Sequence, residues 1–246
     1  MGQAPLKISV VVPAFNEERL LAGSLAATRE AMRAFDQAGW ASELIVCDNN
    51  STDRTAEIAR AAGAAVVFEP VNQIARARNA GAARASGDWL VFVDADSYPT
   101  LGLFHEMVAH VKSARVLAGG ATVTVETDDA LVRGWIAAWN FLSRRARIAA
   151  GSFVFCEADA FRDLGGFSQQ LYAAEEVDLF RRLKRLARRR GREIAILHRH
   201  PLRTSGRKAK LYTKREFLWF MLKTVLLGGR NLRSRASCYA WYDGRR

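Results

Sequence analysis

The chain has 246 residues, half of them hydrophobic, and a formal net charge of +12; this suits a globular protein with a sizeable core and excludes disordered and fibrous classes. Its three cysteines, Cys47, Cys156 and Cys238, form no C-x-x-C pair, which argues against a disulfide framework or zinc site and for a reducing, cytoplasmic compartment. Residues 1–120 hold 11 basic and 13 acidic side chains while 121–246 hold 26 and 12, so the basic surplus lies in the second half and suits a phosphorylated substrate, a nucleic acid, an anionic membrane surface, or simply a solvated face. Residues 1–6 lack a charged leader or long apolar run, so no signal peptide is expected.

Residues 8–12 are a β-branched run closed by Pro13, which predicts a buried strand. After Ala14-Phe15-Asn16-Glu17-Glu18, Leu21, Leu25, Thr28, Met32 and Phe35 fall on one helical face. Asn16 suits the N-cap of that helix, with Glu17 and Glu18 favoured at its positive end. A second strand, 43–47, leaves through Asp48-Asn49-Asn50-Ser51-Thr52-Asp53 into a helix over 54–62. Strand 64–68 and helix 74–85 follow, and this short alternation predicts a doubly wound, mostly parallel sheet. Neither a dinucleotide fingerprint nor a P-loop is present.

The stretch Gly87-Asp88-Trp89-Leu90-Val91-Phe92-Val93 reads as a short, nearly all-apolar strand that ends in Asp94-Ala95-Asp96. Ligands bind outside the carboxyl ends of parallel strands, and residues i and i+2 share one side of an extended chain. Asp94 and Asp96 therefore offer two hard oxygen donors at the expected crevice, suited to Mg2+ or Mn2+ held together with substrate phosphates. Aspartates also favour turns, and Ser97, Pro99 and Gly102 supply turn chemistry here.

Beyond Asp96 a helix is expected over 101–112, a strand over 116–125 and a helix over 130–147, whose Trp135, Trp139 and Leu142 read as a core-facing stripe rather than an acceptor groove. Strand 153–155 precedes a helix opened by Glu175-Glu176-Val177-Asp178, with Leu179, Leu183 and Leu186 on its apolar face. Acids in a first turn interact well with the helix dipole; one beside a pocket can also serve as a general base. Strand 194–197 leads to a loop bearing His198, Arg199, His200, Arg203, Arg207 and Lys208, a diphosphate clamp or a solvated surface. Residues 217–227 are too short to span a bilayer; with flanking lysines and arginines they suit an interfacial helix, with membrane contact over 211–235, or packing on the domain or in a homodimer.

Taken together, the segments Val12-Pro13-Ala14-Phe15-Asn16-Glu17-Glu18, Asp48 to Asp53, Ala77-Arg78-Asn79-Ala80-Gly81, Asp94-Ala95-Asp96 and Glu175 to Asp178 resemble, in order and spacing, the family 2 glycosyltransferases of the GT-A fold. The resemblance covers about residues 7–205. It implies a nucleotide-sugar donor, a UDP-sugar favoured, a divalent metal (Mg2+ or Mn2+), and a single displacement that inverts the anomeric carbon. It further implies that Pro13, Phe15, Asn16, Glu17 and Asp48 contact the nucleotide, that Asn79 and Gly81 lie near the donor, and that Asp94 and Ala95 lie near ribose and sugar. By the same resemblance Asp96 is the metal ligand, Glu176 the base with Glu175 second, and Arg207 and Lys208 stabilise the leaving diphosphate. Asn49 departs from the pattern, standing where the family often has a second aspartate. The Gln-x-x-Arg-Trp motif of processive synthases is missing, so one sugar per encounter is expected.

The organisation expected is a glycosyltransferase domain over 1–210, with a nucleotide-binding half (1–97) and an acceptor half (98–210), and a basic helical appendage over 211–246. The acceptor is open, with a lipid-linked one suggested by the basic apolar C-terminal segment at the inner face of a membrane. Two other readings stand beside sugar transfer. A nucleotidyltransferase would need a glycine- and lysine-rich triphosphate loop after the first strand, which is missing. A nucleic-acid-binding protein would need stacking aromatics in a basic groove, whereas the aromatics follow core periodicity, so no nucleic acid is expected.

Overall fold

The computed structural model describes residues 5–205 and 229–238. Its frame is one eight-stranded sheet in the order β3-β2-β1-β4-β7-β6-β8-β5. The first four of these in space are the apolar runs read from sequence: β1 (Lys7–Ala14), β2 (Ala41–Asp48), β3 (Ala65–Phe68) and β4 (Trp89–Val93), all mutually parallel. The central strand β1 pairs with β4 only as far as Val11 and Phe92, so Pro13, which has no N–H, falls where that side of the ladder has ended.

Alternation along β1 divides the core. Val10 and Val12 face the helices α1 (Leu21–Gln37) and α4 (Leu101–Lys112), whereas Val11 faces α3 (Ile74–Arg84) and α7 (Glu175–Arg189). Both faces are covered, which is why the strands read as continuous apolar runs. The α1 face holds as expected: Leu21, Leu25, Thr28, Met32 and Phe35 are all buried. Each fully buried aliphatic or aromatic chain of this kind contributes about 1.5–3 kcal/mol. A short helix α2 (Thr55–Ala61) follows β2. On α3, Gly81 is required by close approach, since a Cβ there would lie 2.4 Å from Val11 Cγ1.

The second half completes the sheet with both strand senses. The two-residue β5 (Ser97–Tyr98) pairs antiparallel with β8 (Glu193–Thr204), while β6 (Val116–Val125) runs parallel to β8 and antiparallel to β7 (Phe153–Glu157), which in turn pairs antiparallel with β4. Helix α5 (Ala130–Ala146) connects β6 to β7, and a short α6 (Ala158–Asp163) follows β7.

Two expectations are corrected. The predicted loop at 198–203 is strand: β8 bulges after Leu197 and rejoins β6 at Leu202, and the Glu106 carboxylate accepts hydrogen bonds from the amides of His198, Arg199 and His200 across the bulge. The tryptophan stripe of α5 is not core. Only Trp139 turns inward, whereas Trp135 is 68% and Leu142 56% exposed. Apolar residues stand on both sides of α5, so their spacing does not choose between the faces. Residues 206–228 lie outside the described part, and with them Arg207, Lys208 and most of the expected appendage; Arg230–Arg233 and Ala236–Cys238 are short 3-10 turns, the first accepting a 2.7 Å hydrogen bond from the Tyr172 amide at Leu232.

Candidate active site

Strands β1, β2 and β4 end at the same edge, and their exits build the site from three loops. Asn16 does not cap α1, which begins at Leu21 without a side-chain cap. It sits instead in the left-handed region (φ 50°), donating from its amide to Ser51 Oγ and accepting from the Thr52 amide at 2.8 Å. Asparagine tolerates this conformation better than most residues. The Glu17 amide donates to Thr55 Oγ1 and Asp48 accepts from the Ser51 amide, so the first loop and the β2 exit form one unit. Pro13, Glu17 and Asp48 are buried and Phe15 is half-buried.

Asn49 explains its own departure from aspartate. Its Nδ2 donates to the Glu69 and Val71 carbonyls and its Oδ1 accepts from the Gln73 amide. A carboxylate could not make the two donated bonds.

At the exit of β4, Asp94 and Asp96 flank Ala95, whose side chain turns into the core. They line a cleft of about 300 Å³ shared with Arg78, Trp139, Glu175 and Glu176. A second cleft, beside Arg29 and Glu43, lies at the opposite end of the strands. The Asp96 carboxylate accepts from Ser205 Oγ at 2.7 Å, and its carbonyl accepts from the Ser205 amide. The end of β8 is thereby tied to Asp96.

Arg78 is the structural centre of the cleft, and only 1% of its side chain is exposed. One guanidinium nitrogen donates to Glu175 at 2.5 Å; the other donates to Asp94 and to the Gly151 carbonyl, each at 2.8 Å. The guanidinium also lies 5.2 Å from the centre of the Phe167 ring. Burial opposes its charge, but Asp94, Glu175 and Glu176 outweigh that and raise its pKa. Glu175 is thus committed to an ion pair. Glu176, next in the first turn of α7, has none among the described residues. Burial first, and then the Glu175 carboxylate, push the Glu176 carboxyl up to about 7 against the opposing pull of Arg78. Gly151 packs against both groups: a Cβ there would lie 3.1 Å from Arg78 and 3.4 Å from Glu176.

The segment holding Asn79 and Gly81 reaches the cleft through Arg78 instead. Asn79 spends its amide on Phe167, donating to its carbonyl and accepting from its N–H at 2.9 Å each, and Gly81 packs under β1; neither lines the cleft. Arg78 did leave a signal in the sequence: with Ala75 and Ala82 it occupies positions i, i+3 and i+7, the buried face of α3. An arginine in an apolar stripe must be paired.

A family model described as Glycosyl transferase family 2 matches residues 9–162. The chain belongs to that family. An uncharacterised glycosyltransferase of Mycobacterium tuberculosis is 35% identical over 113 residues, 46% of this chain and 47% of the relative, so the chain spans about half the length of the curated relatives it matches. Among solved structures, a mannosyltransferase from Pyrobaculum calidifontis in complex with GDP-Man and Mn2+ superposes with a TM-score of 0.66 at 18% identity, covering 94% of this chain and 63% of that one. Glucosyl-3-phosphoglycerate synthase from Mycobacterium tuberculosis, in complex with Mn2+, UDP and phosphoglyceric acid, gives 0.59 at 21% identity over 96% and 78%. At these identities the likeness is one of fold, and the fold of this family 2 member is GT-A.

Among the described residues no three His, Cys, Asp or Glu side chains converge as a ready metal site. The donor chemistry nonetheless fits a hard cation. Asp96 offers a carboxylate at the cleft, and Mg2+ or Mn2+ commonly takes one or two carboxylates and completes its shell with substrate phosphate and water.

Proposed function

We propose that this chain transfers a single sugar from a nucleotide-sugar to an acceptor hydroxyl with inversion, Glu176 acting as the base. The observation that carries this reading is the inequality of two adjacent glutamates on one cleft wall. Glu175 is neutralised by Arg78, while Glu176 has no ion pair among the described residues and a carboxyl pKa raised to about 7. A base whose pKa lies near the working pH is both available and effective.

The division of labour follows from the loops. Pro13 to Glu17 and Asp48 seat the nucleotide, and Asp94, held by Arg78, faces ribose and sugar. Asp96 would hold the divalent ion, which when bound supplies charge stabilisation on the leaving diphosphate. The acceptor hydroxyl binds opposite the diphosphate within reach of Glu176 and gives up its proton to a Glu176 carboxylate oxygen as its own oxygen bonds to the anomeric carbon, whose bond to the diphosphate breaks with the electron pair leaving on the diphosphate oxygen. Trp139 and Val125 give the same cleft an apolar wall. Relatives in the family's fold have been solved with either GDP-Man or UDP, and a UDP-sugar is the first donor to test.

The test is calorimetric titration with UDP, GDP and their sugar conjugates, with and without Mn2+, followed by NMR of the product's anomeric configuration. Metal-dependent binding of one nucleotide and an inverted product are expected. A retained configuration, or donor binding lost equally in Asp96→Ala and Glu176→Gln, would overturn the assignment of roles.

A further inference from the structure

Helix α5 has two apolar faces, and the fold uses one. Val132, Ile136, Trp139 and Ser143 turn toward the body, and Asn140 fixes the helix to β6 by accepting from the Val123 amide and donating to its carbonyl. On the other side Leu131 (63%), Trp135 (68%), Phe141 (74%) and Leu142 (56%) stand in solvent. Leu131, Trp135, Ala138 and Leu142 recur at helical steps, so they form one stripe rather than scattered exposures.

Charge beside the stripe indicates what would cover it. Residues 130–146 contain no acid. Arg144 and Arg145 close the last turn, and Arg147 follows in the left-handed region. Lys184 of α7 donates to the Ala146 carbonyl, joining the two helices there. Burial and then Arg188, Arg147 and Arg181 lower its pKa, so cations from both helices act on Lys184 beside the end of α5. An aromatic and aliphatic stripe with basic residues at its end is complementary to an interface of acyl chains under anionic headgroups. No helix among the described residues is long and apolar enough to cross a membrane, so the contact would be superficial. Trp139 of the same helix lines the catalytic cleft, so a surface-bound α5 would bring the acceptor side of the cleft to the bilayer.

We infer that α5 docks the protein on an anionic bilayer, with Leu131, Trp135, Phe141 and Leu142 in the headgroup region and Arg144, Arg145 and Arg147 against lipid phosphates. This surface does not depend on the sugar-transfer reading, and vesicle binding and transfer are measured separately. The test is flotation of the full chain with phosphatidylcholine vesicles with and without phosphatidylglycerol, at low and high salt. The wild type, Trp135→Glu/Phe141→Glu and Arg144→Gln/Arg145→Gln are compared, each first checked for an unchanged melting temperature. The wild type is expected to float only with anionic vesicles. The apolar-face variant should lose about tenfold or more of its partitioning, and the arginine variant should lose most of its salt dependence. Three results would overturn the inference: both variants floating like wild type, which moves docking elsewhere; no flotation but a dimer that dissociates in Trp135→Glu/Phe141→Glu, which makes the face a contact between copies; or no flotation with Trp135 shielded from iodide quenching in the monomer, which means the chain covers its own face.

Discussion

The two ends of the sheet hold carboxylates in opposite conditions. At the amino-terminal edge Glu43 accepts from Ser9 Oγ at 2.6 Å and from the amide and hydroxyl of Ser86, with the Lys7 ammonium 3.4 Å away. Burial would raise its pKa, but these donors and then Lys7 hold it down to about 2. At the carboxyl edge, one guanidinium faces Asp94, Glu175 and Glu176, and the last is pushed up to about 7. The first network is satisfied and sews β1 to β2 and to the turn before β4. The second keeps a surplus of negative charge that favours a proton or a cation, the imbalance on which the proposed site rests.

Breaking the Arg78 clamp should have the largest effect. Arg78→Ala leaves Glu175 buried without its cation, and a loss of about 3–5 kcal/mol is expected in urea denaturation, with donor binding lost as well. Next, Glu176→Gln should lower the turnover rate by about 10²–10⁴ with donor affinity kept in calorimetry. The same variant tests linkage. The folded pKa of Glu176 lies above the ordinary 4.5, so its contribution to stability is complete below about 4.5 and is lost as pH rises through about 7. Glu176→Gln should therefore melt higher than wild type at pH 8 and not at pH 4, and wild-type turnover should rise with pH through about 7. Asp96→Ala, or chelation of metal from wild type, should abolish Mn2+-dependent nucleotide binding while shifting the melt little, since Asp96 lies at the cleft in a hydrogen bond with Ser205. The smallest change is expected from Glu43→Gln: unaltered turnover and a loss of about 1 kcal/mol near neutral pH. That loss should fade between pH 4.5 and 2, because a depressed carboxylate pKa stabilises above its unfolded value and ceases to do so as pH falls through the folded one.

Strand and helix patterns made the parallel half legible, since buried strands and the α1 face carry strong apolar periodicity. Asp94, Asp96, Glu175 and Glu176 were legible because acids at strand exits and a helix start stand out against apolar neighbours, and the structure lines one cleft with all four. Arg78 stood out less, because the face of α3 that it shares is marked only by the small residues Ala75, Ala77, Gly81 and Ala82, which give weak apolar contrast. Asn16 misled because a good capping residue is also a good left-handed one, and only the Ser51 and Thr52 contacts distinguish the uses. The bulge in β8 depends on Glu106, 92 residues away from His198, a pairing no local pattern records.

The side-chain amides of Asn49 and Gln73 link the turn after β2 to the segment that leads into α7. Asn49 holds the Gln73 amide, and the Gln73 side chain in turn donates to the carbonyls of Gln169 and Leu171, at 2.8 and 2.9 Å, just ahead of Glu175. A donor that steadies the Asp48–Asn49 turn would steady the backbone leading to Glu176 by the same bonds. The expected steady-state signature is compulsory order: the donor enters first, the acceptor binds tightly only to the enzyme already holding nucleotide, and Gln73→Ala makes entry random.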